Sequence, residues 1–151
     1  MNHYIVDGNN LIGRMSDLRS LQQKDKQASR EKLAVVLERY FIRKKAKVTL
    51  HFDGFANDPI KISRIKIAYS ENRTADERIK NQIETSKNPK NLILISSDNN
   101  LQSFAKVCAC SIIKSEDFVK QLYSSQDNNE EKERIASIDD PEEFKKLFGV
   151  D

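Results

Sequence analysis

Apolar residues fall along this chain in short strand-like runs separated by helical periodicities. Tyr4, Ile5 and Val6 form a continuous apolar run that ends at Asp7 and is broken by Gly8-Asn9-Asn10. Runs of this kind suit strands buried on both faces of a parallel sheet. Leu33, Val36, Leu37, Tyr40 and Phe41 then recur at the spacing of a core-facing helix. Arg30, Lys32, Glu38, Arg39 and Arg43 are read as its charged outer face. Leu18 to Gln27 is polar and is read as either a helical turn or a mobile loop.

Val48, Leu50 and Phe52 alternate with Thr49 and His51, which predicts a second strand ending at Asp53. Ile65, Ile67 and Tyr69 alternate with Lys66 and Ala68 to give a third. Thr74 and Glu77 have the capping-box spacing that opens a helix. Leu92 to Ser96 is the most apolar strand and the expected centre of the sheet. Asp98 follows it and opens a helix bearing Leu101, Phe104 and Ala105. Ser111 to Ile113 is a fifth strand, and Ser115 starts a helix with Phe118, Val119 and Leu122 on its apolar face. The order β-α-β-β-α-β-α-β-α predicts an α/β fold with a central, mainly parallel five-stranded sheet. The link between the second and third strands is short for a crossover, so that pairing is the least determined.

After Tyr123 the pattern fades. Ser124 to Glu131 has almost no apolar content and reads as a flexible linker. Asp140-Pro141 resembles a helix start, with Phe144, Leu147 and Phe148 as an apolar stripe. A helix that short is not stable alone and must dock on its own domain or on a partner protein. The expected organisation is a domain at 1–123, a flexible acidic linker at 124–139 and a short C-terminal helix at 140–151.

Composition bounds the class. A chain of 151 residues can bury one core without staples. No stretch reaches the apolar length of about 20 residues that a spanning helix needs. The N-terminus has no basic region before a long apolar core, so no signal peptide is expected, and the expected compartment is cytoplasmic. Cys108 and Cys110 are read as small apolar residues at the start of a strand, since a lone Cys-x-Cys is neither a disulfide geometry nor a zinc pattern. The formal net charge of +3 hides an asymmetry: residues 1–124 carry 22 Lys and Arg against 14 Asp and Glu, and residues 125–151 carry 4 against 9. A basic body with an acidic tail suits an anionic partner such as nucleic acid.

The candidate chemistry is acidic. Asp7, Asp53 and Asp98 each lie at the C-terminal end of an expected strand, and Asp76 lies in the first turn of a helix. Ligands of open parallel sheets bind outside the carboxyl ends of strands, where the strand order reverses. If the first and fourth strands are neighbours, Asp7 and Asp98 face each other there, with Asp76 and Glu77 reaching in from the helix start. Clustered carboxylates are relieved by hard cations such as Mg²⁺ or Mn²⁺. Such ions bind phosphodiesters and activate water. Each aspartate alone is equally an N-cap or turn residue. The group of Asp7, Asp76 and Asp98 favours function, while Asp53, in an Asp-Gly turn dipeptide, is evenly balanced.

Tyr4-Ile5-Val6-Asp7-Gly8-Asn9-Asn10-Leu11-Ile12-Gly13 resembles the opening of NYN-domain proteins, in particular the bacterial YacP-like group. Phe52-Asp53-Gly54, Thr74-Ala75-Asp76-Glu77-Arg78-Ile79 and Ile95-Ser96-Ser97-Asp98 resemble later motifs of that group, in the correct order. The similarity covers about residues 3–122. It implies a PIN-like three-layer sandwich, Mg²⁺ or Mn²⁺ dependence and RNA as substrate. It makes Asp7, Asp76 and Asp98 metal-ligand and catalytic candidates, and Asn9, Asn10 and Ser97 supporting residues that orient carboxylates, water or substrate. The segment after Asp53 is shorter than the group's, and the acidic tail has no counterpart in it.

Arg14, Arg19, Lys24, Lys26 and Arg30 follow the first motif, and Arg73, Arg78 and Lys80 flank Asp76. Arg14 and Arg73 are the preferred contacts to RNA phosphates. The run Arg43 to Lys47 is assigned to favouring its helix C-terminus. Tyr69 is a base-stacking candidate, although a strand tyrosine is more often core. The expected function is a metal-dependent endoribonuclease. The rival is a catalytically silent module of the same fold that binds RNA, a ribosome or another ribonucleoprotein.

Overall fold

A computed structural model describes the backbone of residues 1–134 and the side chains as far as Ser125. The elements are β1 (Asn2–Asp7), α1 (Gly8–Gly13), α2 (Ser16–Lys24), α3 (Lys26–Phe41), β2 (Ala46–Phe52), β3 (Lys66–Tyr69), α4 (Ala75–Glu84), a 3₁₀ turn (Pro89–Asn91), β4 (Leu92–Ile95), α5 (Asn99–Val107), β5 (Ser111–Ile113) and α6 (Ser115–Arg134). All four strand pairings are parallel, in the order β3-β2-β1-β4-β5. β1 is therefore the central strand, a place the sequence reading gave to β4. The chain steps outward from β1 to β2 and β3, then returns to the other side of β1 for β4. That reversal opens a crevice between the carboxyl ends of β1 and β4.

Helices cover both faces. Side-chain alternation along β1 divides the core: Val6 joins Leu50 and Phe52 under α1, α2, α3 and α6, whereas Ile5 joins Leu94 under α4 and α5. On the first side Leu33, Leu37 and Phe41 of α3 are fully buried, as is Phe118 of α6. Tyr4, Tyr40, Phe41 and Phe118 pack as an aromatic cluster, with ring centroids 4.8–6.1 Å apart.

The structure refines the sequence expectations at several places. Thr49 and His51 do not face water. Both are buried beneath α4, where Gln82 bridges His51 (2.7 Å) and Thr49 (3.1 Å). Arg30 is 2% exposed and leaves the outer face of α3 altogether. Its guanidinium lies 5.0 Å from the Phe52 ring and 5.6 Å from the Tyr69 ring, and donates to the carbonyls of Asp53 and Phe55. Tyr69 is thereby partly buried against the core with an arginine over its ring, the role the sequence reading held to be the more common for a strand tyrosine. Leu18 to Gln27 is helical: Leu18 is buried in α2, and Asp25 caps α3 by accepting from the Ala28 N–H. Cys108 and Cys110 are free thiols in the turn between α5 and β5, where Ala109 adopts a positive φ of 66°.

β2 and β3 pair in parallel through residues 53–65, which form neither helix nor strand. Ile60, Ile62 and Ile65 anchor this link on the core, so hydrophobic burial replaces the usual crossover helix. α6 runs on to Arg134, past the boundary at 124 drawn from composition. The remainder of the expected linker, 135–139, and the expected helix at 140–151 lie outside the described residues. Among the described residues no helix is long and apolar enough to cross a membrane.

Candidate active site at the carboxyl edge of the sheet

Asp7 is the last residue of β1 and is 9% exposed. Gly8 follows it at once because the chain must turn against β2. A Cβ at Gly8 would meet the His51 carbonyl oxygen at 2.6 Å and the Phe52 ring at 2.8 Å. The Asp7 carboxylate accepts from Ser96 Oγ at 2.9 Å and from the Asn10 backbone N–H. Burial pushes its pKa up to about 6, the two hydrogen bonds oppose that rise, and the charges of Asp53 and Asp98 add to it. Asp7, Asp53 and Asp98 therefore share one electrostatic site.

Ser96, fully buried just beyond β4, organises this centre. Its hydroxyl donates to Asp7 and accepts the Asp98 N–H at 3.1 Å. Asp98 caps α5 by accepting from the Leu101 N–H at 2.9 Å. Capping and proximity to Asp7 thus coexist in one carboxylate. Asp53 fastens three elements: its own position after β2, the Asn9 amide that donates at 3.2 Å, and the Ala75 N–H at the start of α4, which donates at 2.7 Å. Asn9 Oδ1 remains buried with no hydrogen-bond partner among the described residues.

A second set of bonds ties α1 to α6. Asn10 Oδ1 accepts from the Ser97 N–H (3.0 Å) and from Ser115 Oγ (2.7 Å). Ser97 Oγ accepts the Ser115 N–H at 2.9 Å and donates to Glu116. The Glu116 carboxylate is held below its ordinary pKa, first by that Ser97 hydrogen bond and in smaller part by Arg14, whose Nε lies 4.0 Å away.

Asp76 follows Ala75, whose N–H donates to Asp53, in the first turn of α4. It is partly exposed and pairs with Lys80 one helical turn on, at 3.2 Å, and its charge is not among the causes that shift Asp7. The Glu77 side chain is exposed, and its backbone N–H is capped by Thr74 at 3.1 Å. Arg14 and Arg73 are both exposed. The sequence reading did not single out Ser96, Ser115 or Glu116. Ser96 was within reach, because the Ser-x-Asp spacing that ends at Asp98 begins at Ser96 and not at Ser97. Among the described residues no three His, Cys, Asp or Glu side chains converge as a closed cation cage would require.

The family model for the YacP-like NYN domain matches residues 4–147. The chain belongs to this family. NYN domains of this kind are PIN-like ribonuclease domains. Among solved structures, the chain is similar to Rae1 (YacP) from Bacillus subtilis, at 19% identity and a TM-score of 0.73 over 87% of this chain and 79% of that one. It is equally similar to the W164L mutant of the same protein, at 20% identity and a TM-score of 0.74 over 92% and 86%. At these identities the likeness carries the fold, a five-stranded parallel sheet between helices. No curated protein sequence matches the chain.

Proposed function

We propose that this protein is a divalent-cation-dependent endoribonuclease whose centre is Asp7. One observation carries the reading: a buried carboxylate, at the switch point of the sheet, held by Ser96 and crowded by the charges of Asp53 and Asp98. Asp53 and Asp98 also serve helix starts, but a buried carboxylate whose ionisation is shifted by burial and by its acidic neighbours is a mark of functional sites.

The residues fit a hard cation. The donors are oxygens, Asp7 is desolvated, and Asn9 offers a buried oxygen without a partner. Mg²⁺ keeps several waters and takes one or two carboxylates together with substrate phosphate, so it does not require three converging side chains. Asp7 with Asp98 or Asp53 would hold the ion. Asp76, engaged by Lys80, stands at the rim. When bound, the ion supplies a polarised phosphodiester and a water nucleophile at neutral pH. Ser96 keeps Asp7 aligned and its pKa from rising further, and Asn10 and Ser97 fix the loop ends on which the carboxylates sit. Arg14 and Arg73, both exposed, are the proposed phosphate contacts, and RNA is the substrate expected of the family.

A labelled circular RNA tests this directly, since only an internal cut linearises a circle. Linear product with Mn²⁺ and none with excess chelator is expected. Intact circles with Mn²⁺ present would overturn the reading and leave the RNA-binding module in its place.

A further inference from the structure

The amino ends of the same strands carry a different feature. An open cleft of 520 Å³ is lined by Lys45 and Lys47 from the β2 side, by Arg64 and Lys66 from the β3 side, and by His3 and Thr49 at its base. No Asp or Glu lines it. Among the described residues Lys45, Lys47 and Lys66 enter no ion pair. The Arg64 guanidinium is fixed by donating to the Lys44 carbonyl at 2.5 Å, and the Arg64 backbone N–H is held by Glu38. Four cations share the rim against the single carboxylate of Glu38 beside Arg64, and their field reaches the base. His3 is held below its ordinary pKa, first by burial and then by Lys47 and Lys66.

An excess of cations around a concave surface raises the local concentration of anions. The cleft offers no Trp, Tyr or Phe on which a base would stack, and its remaining polar groups are the His3 imidazole, hydroxyls and backbone. That chemistry grips phosphate without reading sequence. It also lies far from the carboxylates. His3 and Asp7 are four residues apart on β1, roughly 13 Å at the usual strand rise.

We propose that this cleft is a second phosphate-binding site, which holds the backbone of an RNA at a distance from the bond that is cut. Residues 53–65 connect the carboxylate edge at Asp53 to the cleft at Arg64, so the two sites lie at the ends of one surface segment. A short oligonucleotide seated at the carboxylates leaves the cleft empty, and a longer strand fills both. The choice of RNA as the polyanion rests on the function proposed above; the site itself does not require that the protein cut.

Affinity for a labelled single-stranded RNA of roughly 30 nucleotides, longer than a typical single site, is measured in chelator across a salt series. The Lys45→Ala/Lys47→Ala/Lys66→Ala variant is expected to bind about tenfold more weakly. Its slope of log affinity against log salt should shrink by about 2, the value for three lost phosphate contacts on a single strand. Mn²⁺-dependent cleavage of a very short oligonucleotide should be unchanged. Wild-type affinity and slope in a variant that melts like the parent would overturn the proposal. So would an equal loss in Lys87→Ala/Lys106→Ala/Lys120→Ala, which removes the same charge elsewhere. Cleft-dependent binding without any cutting would overturn the nuclease reading alone.

Discussion

The two ends of the sheet are built from the same strands to opposite specifications. β1 carries His3 at one end and Asp7 at the other; β2 begins beside Lys45 and Lys47 and runs into Asp53. At the carboxyl end nearly every polar atom is assigned: Ser96 to Asp7, Asn9 and the Ala75 N–H to Asp53, the Leu101 N–H to Asp98. At the amino end the lysines are exposed and take part in no ion pair among the described residues. Chemistry on a phosphodiester needs atoms held to fractions of an ångström, whereas a grip on its backbone needs only charge. Substitutions at the carboxyl end should therefore act steeply, and those at the amino end in small additive steps.

The largest expected effect is on stability and comes from Asp7 itself. Its folded pKa, about 6, is above the ordinary value of 3.8. Stability associated with the protonated carboxyl is fully present below the ordinary pKa and is lost as pH rises through the folded one. The shift corresponds to about 3 kcal/mol at most for this largely buried group. Asp7→Asn is then expected to be more stable than wild type at neutral pH without divalent cation, with the gap closing in acid. Denaturant titrations at several pH values check this, and parallel curves would break the assignment of Asp7 as a desolvated charge.

Arg30 belongs to neither end. It supports the carboxyl edge from within, and Arg30→Met leaves the Asp53 and Phe55 carbonyls without their donor. A loss of roughly 2–3 kcal/mol is expected from the denaturant midpoint. A change near zero would mean that the Phe52–Tyr69 platform, not the two carbonyls, holds this corner.

Ser96→Ala sharpens the comparison at lower amplitude. Removing a group that orients a metal-binding carboxylate typically costs 10–100-fold, here expected in Mn²⁺-dependent cleavage. Asp7 also loses a hydrogen bond that lowers its pKa, so the acid limb of the cleavage profile should move to higher pH. A lower rate with an unmoved limb would make Ser96 a packing residue only. Smallest of all, Lys47→Ala alone should weaken binding of long RNA about twofold and take about 0.7 from the salt slope.

Much of this was legible in the sequence, for identifiable reasons. The strands declared themselves by short apolar runs, and Asp7 stood out because it terminates the run that becomes the centre of the sheet. What misled was direction and reach. Asp76 was assigned to the site from its position in a first helical turn, and the structure adds what that position does not show, a pairing with Lys80 at the i+4 spacing. Arg30 follows the polar face of a helical wheel, but its long side chain reaches round to two aromatic rings that come from strands distant in sequence. Ser97 was favoured over Ser96 by one position, which in extended chain reverses the side on which a hydroxyl emerges. The run Arg43 to Lys47 was assigned to a helix end because the cleft it helps to line also needs Arg64 and Lys66, brought in only by the β2–β3 pairing. A polar stretch from Ser124 was read as linker because it lacks an apolar face, whereas α6 continues to Arg134.

The central claim is that Asp7 is the centre of a cation-dependent RNA-cutting site. Wild type and Asp7→Asn compared on one RNA pool, with Mn²⁺ and with chelator, test it most directly, once matched melting curves have shown that both are folded. The account predicts cutting by wild type with Mn²⁺ only, and a loss of at least about a hundredfold in the variant, the upper end of what loss of a metal's outer-shell partner costs. Equal cutting by both proteins would contradict it.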